Sequence, residues 1–185
     1  KIDLRLNARV EAIDVKGKQV RLQNGAAQAF DALLLATGAE PVRLNLDGTP
    51  SIPVHYLRRF PDSKAIVASA EASKSKRALV MGASFIGLEV AASLVARGLE
   101  VHVVAPESQP LVKVMGDELG RFIRSLHESK GVVFHLGATV ARLHGRTATL
   151  SDGSSLEADL AVVGVGVRPN VSLAQAAGLA IGPGG

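Results

Sequence analysis

The sequence predicts an α/β fold built on a parallel sheet, and three observations support this prediction. An apolar strand over Arg77–Met81 runs directly into a glycine-rich turn at Gly82–Gly87. An apolar helix and a second strand, Glu100–Ala105, follow this turn as in a βαβ unit. The opening segment of the chain also shares its order of short strands and turns with the segment after Gly131. Together these features predict a Rossmann-like three-layer domain that carries a β-meander.

The composition excludes several classes of protein. Hydrophobic residues make up 47% of the 185, enough for a packed core. The net charge of +4 comes from scattered basic residues, and the 3% of aromatic residues leaves little for base stacking, so we expect no nucleic-acid partner. Apolar stretches such as Leu160–Val167 are far shorter than the roughly 20 residues of a membrane span, and no signal-peptide pattern opens the chain. We therefore expect a cytoplasmic protein without membrane contact.

Few residues indicate metal or partner sites. The sequence contains no cysteine, which excludes a disulfide or a thiolate metal site within these residues. The five histidines lack metal-ligand spacing, so no metal site is predicted. The basic run Lys74, Lys76 and Arg77 fits a solvated helix end, and a docking patch for an acidic partner is the alternative.

The first sixty residues indicate strands and a connection. Apolar residues alternate over Leu4–Ile13 and resume at Val20 after a turn, as in a hairpin, and Asn24-Gly25 predicts a second turn. The continuous apolar run Phe30–Ala36 predicts a strand covered on both faces that ends at Thr37-Gly38. Residues 39–63 contain four prolines and are predicted to connect two domains.

The middle of the chain alternates helices and strands. A short helix is predicted over Ala65–Ser73, and a longer one over Ser84–Arg97 that Gly98 stops. After the second strand, a helix behind an Asp117 cap is predicted to end near Lys130 and Gly131. Its apolar face consists of Leu119, Phe122, Ile123 and Leu126.

The internal repeat has a fixed offset. Five positions recur 128 residues later, as in 166 minus 38, since Gly17, Leu22, Gly25, Asp31 and Gly38 match Gly145, Leu150, Gly153, Asp159 and Gly166. In the second copy a glycine-rich βαβ unit precedes this β-rich half. We therefore expect that the first copy has such a unit too, and that the chain starts inside its first domain.

The glycine-rich turn predicts a dinucleotide site. Gly82 permits the tight turn out of the strand, Gly87 permits close packing of helix on sheet, and the amides of Ser84–Ile86 open a helix N-terminus that attracts pyrophosphate. Ser84 replaces the middle glycine of the G-x-G-x-x-G pattern, so its side chain must fit beside the phosphate. The predicted contacts are Gly82, Ala83, Ser84, Phe85, Ile86 and Gly87.

The adenosine end of this site lacks its usual acid. Ala105, 18 residues after Gly87, stands where a carboxylate normally binds the ribose. Glu107 is the candidate substitute; as an anion it would repel a 2′-phosphate, and no arginine follows the strand, which favours NAD(H) over NADP(H). The pattern around Glu89 predicts burial, so this carboxylate needs a partner: a cofactor amide, unless the position is at the surface.

Three short sequence segments together carry a family resemblance. These are Val80–Ala92 around the turn, Ala36–Pro41, and Gly164–Asn170. They resemble the FAD-dependent pyridine nucleotide-disulfide oxidoreductase superfamily over nearly the whole chain. Val54–Arg58 resembles its ferredoxin reductase and apoptosis-inducing-factor-like branch.

The resemblance implies a domain arrangement and further site residues. An NAD-binding domain, residues 51–165, would be inserted into an FAD-binding domain represented by partial segments at residues 1–50 and 166–185. Thr37 and Gly38 would approach FAD, and Glu89 would approach the nicotinamide. The nicotinamide side would be formed by Val163, Gly164, Val165 and Gly166.

The resemblance also implies an activity. NADH would pass a hydride to FAD, and electrons would leave to a ferredoxin or a Rieske-type iron–sulfur protein. The cofactors carry this chemistry, so no catalytic side chain is expected here. Alternatives are a thiol-dependent disulfide reductase or NADH oxidase relative, whose redox cysteines would lie upstream of residue 1, and a nucleotide-binding module without catalysis. The chain alone is expected to hold FAD poorly and to be inactive.

Overall fold

The computed structural model describes residues 2–182 and 184, and its first elements form an antiparallel meander. The strands are β1 (Val10–Asp14), β2 (Gln19–Leu22) and β3 (Ala27–Ala29). The short strand β4 (Ala39–Pro41) follows at the boundary between two compact units. The smaller unit is Lys1–Glu40 with Arg168–Gly185, and the larger unit is Pro41–Val167.

Strands and helices alternate in the first half of the larger unit, and strands alone follow. The elements are β5 (Val54–Tyr56), α1 (Phe60–Ala72), β6 (Arg77–Met81), α2 (Phe85–Val95), β7 (Glu100–Ala105), α3 (Val112–Glu128), β8 (Val132–Leu136), β9 (Val140–His144), β10 (Thr147–Leu150), β11 (Ser155–Glu157) and β12 (Leu160–Val163). The chain continues with β13 (Val167–Pro169) and α4 (Ser172–Ala176). None of the helices in the described part of the chain has the length and apolar character needed to cross a membrane.

A five-stranded parallel sheet with the order β5-β12-β6-β7-β8 forms the centre of the larger unit. In its register Leu79 lies between Ala161 of β12 and His102 of β7. The three helices α1, α2 and α3 lie on one face, and the antiparallel meander β9–β11 lies on the other. This arrangement confirms the predicted Rossmann-like three-layer fold with a β-meander.

Two apolar clusters hold the layers together. On the helix face Val80, Val101 and Leu160 pack against α1 and α2. On the meander face Leu79, Met81 and further residues of the sheet pack against β9 and β10. Because β6 and β12 are buried on both faces, their sequences are continuously apolar rather than alternating. The fully buried meander residues are Leu143, Ala148 and Leu150.

The internal repeat corresponds to two similar meanders. The order β1-β2-β3 in the smaller unit matches β9-β10-β11 in the larger one. The equivalent turn glycines, Gly25 and Gly153, have φ angles of 83° and 86°. This left-handed region is strained for residues with a Cβ, which explains the shared glycine.

The predicted strand over Phe30–Ala36 is wrong. These residues form no strand, and Leu34 is 89% exposed. A strand buried on both faces needs a hydrogen-bonded neighbour, and no strand pairs with this run among the described residues. The predicted strand over Leu4–Ile13 is also shorter than expected, since only its last four residues belong to β1.

The first helix begins earlier than predicted. α1 starts at Phe60, and Pro61 occupies its first turn, where a proline removes no helical hydrogen bond. The Asp62 carboxylate accepts hydrogen bonds from the amides of Arg58 and Arg59 and so fixes the helix start. The proline-rich segment 39–63 therefore contains two strands and a helix start rather than only a connection.

The helix predicted behind Asp117 is preceded by a further helical segment. α3 starts at Val112 and is interrupted at Gly116, whose φ of 77° is not helical. Asp117 pairs with Arg121 one turn later instead of capping the helix. The predicted apolar face is only partly used, since Ile123 is half-buried while Leu119, Phe122 and Leu126 are exposed.

A buried carboxylate anchors the start of β12. The side chain of Asp159 is 6% exposed and accepts hydrogen bonds from the Ser73 hydroxyl at 2.5 Å and from the Ser75 amide at 2.7 Å. Arg146 pairs with the same carboxylate. Burial alone would raise the pKa of Asp159, but the serine hydrogen bonds and the Arg146 charge together lower it to about 2.

Asp159→Asn is expected to destabilise the protein by about 2 kcal/mol at neutral pH, because a shift from 3.8 to about 2 stabilises the ionised folded state by this amount. As pH falls below about 4, the unfolded chain binds this proton first, so the wild type loses the contribution between about pH 4 and 2 and the variant does not. Urea unfolding at several pH values measures both effects. The exposed Asp31→Asn change is the control, and equal stability of the two variants would contradict the anchor.

Candidate functional site

A cleft lies at the carboxyl ends of β12, β6 and β7. After β6 the chain adds strands on one side, whereas β12 and β5 lie on the other, so the cleft is at the topological switch point where open α/β sheets bind ligands. Its volume is about 290 Å³. It is lined by Gly82, Ala83, Ser84, Pro106, Glu107, Leu111, Val112, Lys113, Val114, Gly164 and Val165.

Three glycines allow the backbone to approach itself at the base of this cleft. A Cβ on Gly82 would lie 2.5 Å from the carbonyl oxygen of Gly164, and Gly82 has a φ of 106°. A Cβ on Gly87 would overlap the carbonyl of Gly82, and one on Gly164 would lie 3.1 Å from the Gly87 amide nitrogen. Turn, helix and the end of β12 therefore meet with no room for side chains.

Hydrogen bonds hold the turn in this position. The Gly82 amide donates to Val104 of β7 at 2.8 Å, and the Gly164 amide donates to Met81 of β6 at 2.7 Å. The Leu111 amide donates to Ala83 at 3.1 Å, which ties the segment before α3 to the turn. The predicted residues Gly82, Ala83 and Ser84 thus line one cleft with Gly164 and Val165.

The N-terminus of α2 opens into this turn. Ser84 is the N-cap residue with extended φ and ψ of −96° and −174°, and its hydroxyl makes no capping hydrogen bond. The first amides of a helix have no partner within the helix, so the amides of Phe85, Ile86 and Gly87 are available to an anion. The partial positive charge of the helix dipole adds to this attraction.

The strand end beside the turn offers no polar side chain. Ala105 is fully buried, and the first polar side chain after it is Glu107. The Glu107 carboxylate accepts a hydrogen bond from the Lys113 ammonium at 2.7 Å. This hydrogen bond holds the pKa of Glu107 below its usual range, against the effect of burial, so Glu107 is an anion at neutral pH.

Sequence reasoning missed Lys113. The prediction of NAD(H) rests on the absence of an arginine after the strand that would accept a 2′-phosphate, whereas this lysine lies six positions beyond Glu107 at the start of α3. The early start of α3 and its break at Gly116 place Lys113 on the cleft. A basic residue at the start of the helix that follows the strand is the signal that would have identified Lys113.

The predicted burial of Glu89 is wrong. Glu89 is exposed, because its neighbours Leu88 and Val90 take the buried positions of α2 and the helical rotation turns Glu89 outward. It lines a separate groove of about 170 Å³ between α1 and α2, with Ser63 and Arg97.

The remaining predicted residues lie at two places. Val163 is buried in β12, Val165 is 39% exposed in the cleft, and the Gly166 carbonyl accepts a hydrogen bond from the Val42 amide at 2.9 Å. Thr37 and Gly38 belong to the smaller unit. There the Thr37 hydroxyl donates to the Asn170 carbonyl at 2.6 Å, and the Asn170 amide donates to the Gly38 carbonyl at 2.9 Å.

The basic run Lys74, Lys76 and Arg77 is largely occupied within the protein. The Lys76 ammonium donates to the carbonyls of Ala70 and Glu71 at the end of α1. Arg77 pairs with Glu100 at 3.2 Å. These contacts favour the interpretation of a helix end before a buried strand over that of a docking patch.

A parallel sheet with a glycine-rich strand-to-helix turn at its switch point defines a Rossmann-type α/β protein. The chain matches the family model described as pyridine nucleotide-disulphide oxidoreductase over residues 1–185. The chain therefore belongs to this family, which confirms the resemblance carried by its motifs.

Relatives support the ferredoxin reductase-like branch of this family. The chain is 37% identical to the ferredoxin–NAD(+) reductase component of the anthranilate 1,2-dioxygenase system of Burkholderia cepacia, over 97% of the chain and 45% of that protein. It is similar to the ferredoxin reductase for the CYP199A2 system of Rhodopseudomonas palustris, with 36% identity, a TM-score of 0.84, and coverage of 96% and 45%. It is also similar to the covalent putidaredoxin reductase–putidaredoxin complex, with 30% identity, a TM-score of 0.80, and coverage of 95% and 44%. The chain thus spans a little under half the length of these proteins.

Gly87→Ala is expected to destabilise the protein by about 1–3 kcal/mol, because the new Cβ overlaps the Gly82 carbonyl and the backbone must move. Thermal unfolding measures this loss. Gly182→Ala, which adds a Cβ into open space, is the control, and an unchanged melting temperature for Gly87→Ala would contradict the close packing.

Proposed function

We propose that the chain is the NADH-binding part of an FAD-dependent oxidoreductase of the ferredoxin reductase type. The observation that carries this proposal is the position of the α2 N-terminus. Its N-cap residue Ser84 lines a cleft at the switch point of the sheet beside three close-packed glycines, and its first amides have no partner within the helix. A pyrophosphate fits this place because backbone amides supply the hydrogen bonds and the glycines leave room beside the Ser84 side chain.

The other parts of the dinucleotide follow from the position of the pyrophosphate. The adenosine ribose would lie against Glu107 and Lys113 at the end of β7. The nicotinamide would lie towards Gly164 and Val165, and Glu89 stays a proposed partner of its amide. When bound, NADH supplies the hydride and FAD accepts it, while the chain's own residues bind and orient these groups.

The smaller unit is proposed to belong to the FAD domain. Thr37, Gly38 and Asn170 form a hydrogen-bonded group there, and Thr37 and Gly38 are the proposed FAD contacts. In this assignment residues 51–165 form the NAD domain, and residues 1–50 and 166–185 are segments of the FAD domain.

The proposed electron acceptor is a ferredoxin or a Rieske-type iron–sulfur protein. Support comes from the relatives, since two similar proteins are ferredoxin reductases and a third is a reductase in covalent complex with putidaredoxin.

NADH is expected to bind the chain at the glycine-rich turn. Titration with NADH, followed by amide shifts in NMR spectra, should move the signals of Ser84–Gly87 most. Ser84→Asp is expected to weaken binding at least about tenfold, because it places a carboxylate beside the pyrophosphate. Ser93→Asp on the same helix is the control, and unchanged affinity in Ser84→Asp would argue against this site.

The gene product that contains this chain is expected to be yellow and to oxidise NADH with ferricyanide as acceptor. Reduction of a purified ferredoxin in place of ferricyanide tests the partner. A colourless product that leaves NADH unchanged would contradict the reductase proposal, and reduction of a disulfide substrate instead would favour the thiol-dependent alternative.

The charge pair at the ribose end is expected to set the choice of nucleotide. Glu107→Gln leaves Lys113 unpaired, so the affinity for NADPH relative to NADH should rise on the order of tenfold, since the repulsion of a 2′-phosphate is removed. Lys113→Met should move the ratio the other way. Isothermal titration with both nucleotides at one salt concentration measures the ratio, with Glu118→Gln as the control. An unchanged ratio in both variants would exclude this pair as the determinant.

A further inference from the structure

A chain of polar side chains crosses three strands on the meander face of the sheet. Arg77 of β6 donates to Glu100 of β7 at 3.2 Å, and Glu100 lies 2.8 Å from Nε2 of His102. Nδ1 of His102 lies 2.9 Å from Nε2 of His135 on β8. The nucleotide site uses none of these side chains, and together they connect the interior of the sheet to its edge strand.

The geometry fixes where the protons lie. A carboxylate only accepts hydrogen bonds, so Nε2 of His102 carries a proton and donates it to Glu100. In a neutral His102 the Nδ1 atom is then a bare acceptor, so Nε2 of His135 must be the donor of the 2.9 Å hydrogen bond. The ring centroids are 5.2 Å apart, which places the two nitrogens between the rings in a direct contact.

We propose that this Glu100–His102–His135 chain is a pH-sensitive latch that holds the edge strand β8 to β7 and opens when both imidazoles are protonated. A doubly protonated pair has a proton on each of the two facing nitrogens, so the hydrogen bond is replaced by the repulsion of two cations. The charged groups facing the pair are Arg77 from β6, Glu100 from β7 and Asp152 from the turn between β10 and β11.

The sign of the pH effect follows from the surroundings. Burial, and then the neighbouring His102, lower the pKa of His135, and the charge of Asp152 opposes them in part. Since the unfolded chain takes up this proton first as pH falls below about 6.5, stability is lost from that pH downward. The hydrogen bond from His102 lowers the pKa of Glu100, so the carboxylate stays ionised as the latch opens.

Backbone hydrogen bonds connect the end of β8 to the candidate nucleotide site. After β8 the Gly137 amide donates to the Glu107 carbonyl at 3.1 Å, and the Ala138 amide donates to the Ala105 carbonyl at 3.2 Å. Movement of β8 therefore reaches the segment that carries Glu107. This part of the inference rests on the proposed function, and we expect nucleotide affinity to weaken several-fold in the pH range where the latch opens.

Nitrogen-detected NMR of histidine side chains in the full chain tests the latch directly. At about pH 7.5 both His102 and His135 should be the Nε2–H tautomer, as the two hydrogen bonds require. His102 in the Nδ1–H tautomer would overturn the proposal even if every variant failed to fold.

A second measurement uses His135→Gln, whose amide keeps a donor but does not titrate. The wild type should lose thermal stability between about pH 7.5 and 5.5, with each unit of lowered pKa equal to about a tenfold change in the ratio of folded to unfolded chain. The His135→Gln variant should lose less thermal stability over this pH range. His144→Gln on β9 is the matched control. Equal pH slopes in wild type and His135→Gln would overturn the latch.

NADH titrations at the same two pH values separate the two proposals. A wild type that binds more weakly at low pH, with His135→Gln insensitive to pH, supports the coupling. Failure to bind NADH at any pH would contradict the proposed function and leave the tautomer and stability results to decide the latch. Equal pH dependence of binding in both proteins would overturn the coupling.

Discussion

The close approach of three backbone segments at Gly82, Gly87 and Gly164 is the constraint on which the larger unit depends. Protein interiors are packed at crystal-like density, so a single Cβ at any of these positions would separate helix, turn and strand. The approach brings the N-terminus of α2 to the ends of β6 and β12, and it leaves the cleft lined by backbone where a phosphate would lie. The same close packing of backbone segments therefore determines both the fold of the larger unit and the shape of the candidate site.

The second feature of the cleft is its balance of charge. Free helix amides supply partial positive charge at one end, and at the other end the Glu107 anion is neutralised by Lys113. A carboxylate that is 24% exposed needs a partner to remain ionised at low cost, so the lysine contributes to the stability of the protein. The hydrogen bond from Leu111 to Ala83 joins the segment carrying this lysine to the glycine-rich turn.

Much of the larger unit could be predicted because local patterns determine it. Strands β6 and β7 have the predicted bounds, since an apolar run between turn residues allows few alternatives. The starts of α1 and α3 were missed because a first-turn proline and the break at Gly116 resemble connections in sequence. Lys113 was missed for the same reason, because its place at the cleft depends on where α3 starts.

The repeat shows why pattern alone is not enough. Residues 30–36 and 158–164 occupy equivalent positions and are both apolar, yet the second run forms β12, fully buried, and the first forms no strand. The difference lies in the neighbours: β12 is hydrogen-bonded to β5 and β6, and Asp159 at its start is held by Ser73 and Ser75. The equivalent Asp31 is exposed. An apolar run can be buried, but it forms a central strand only where strands pair with it on both sides.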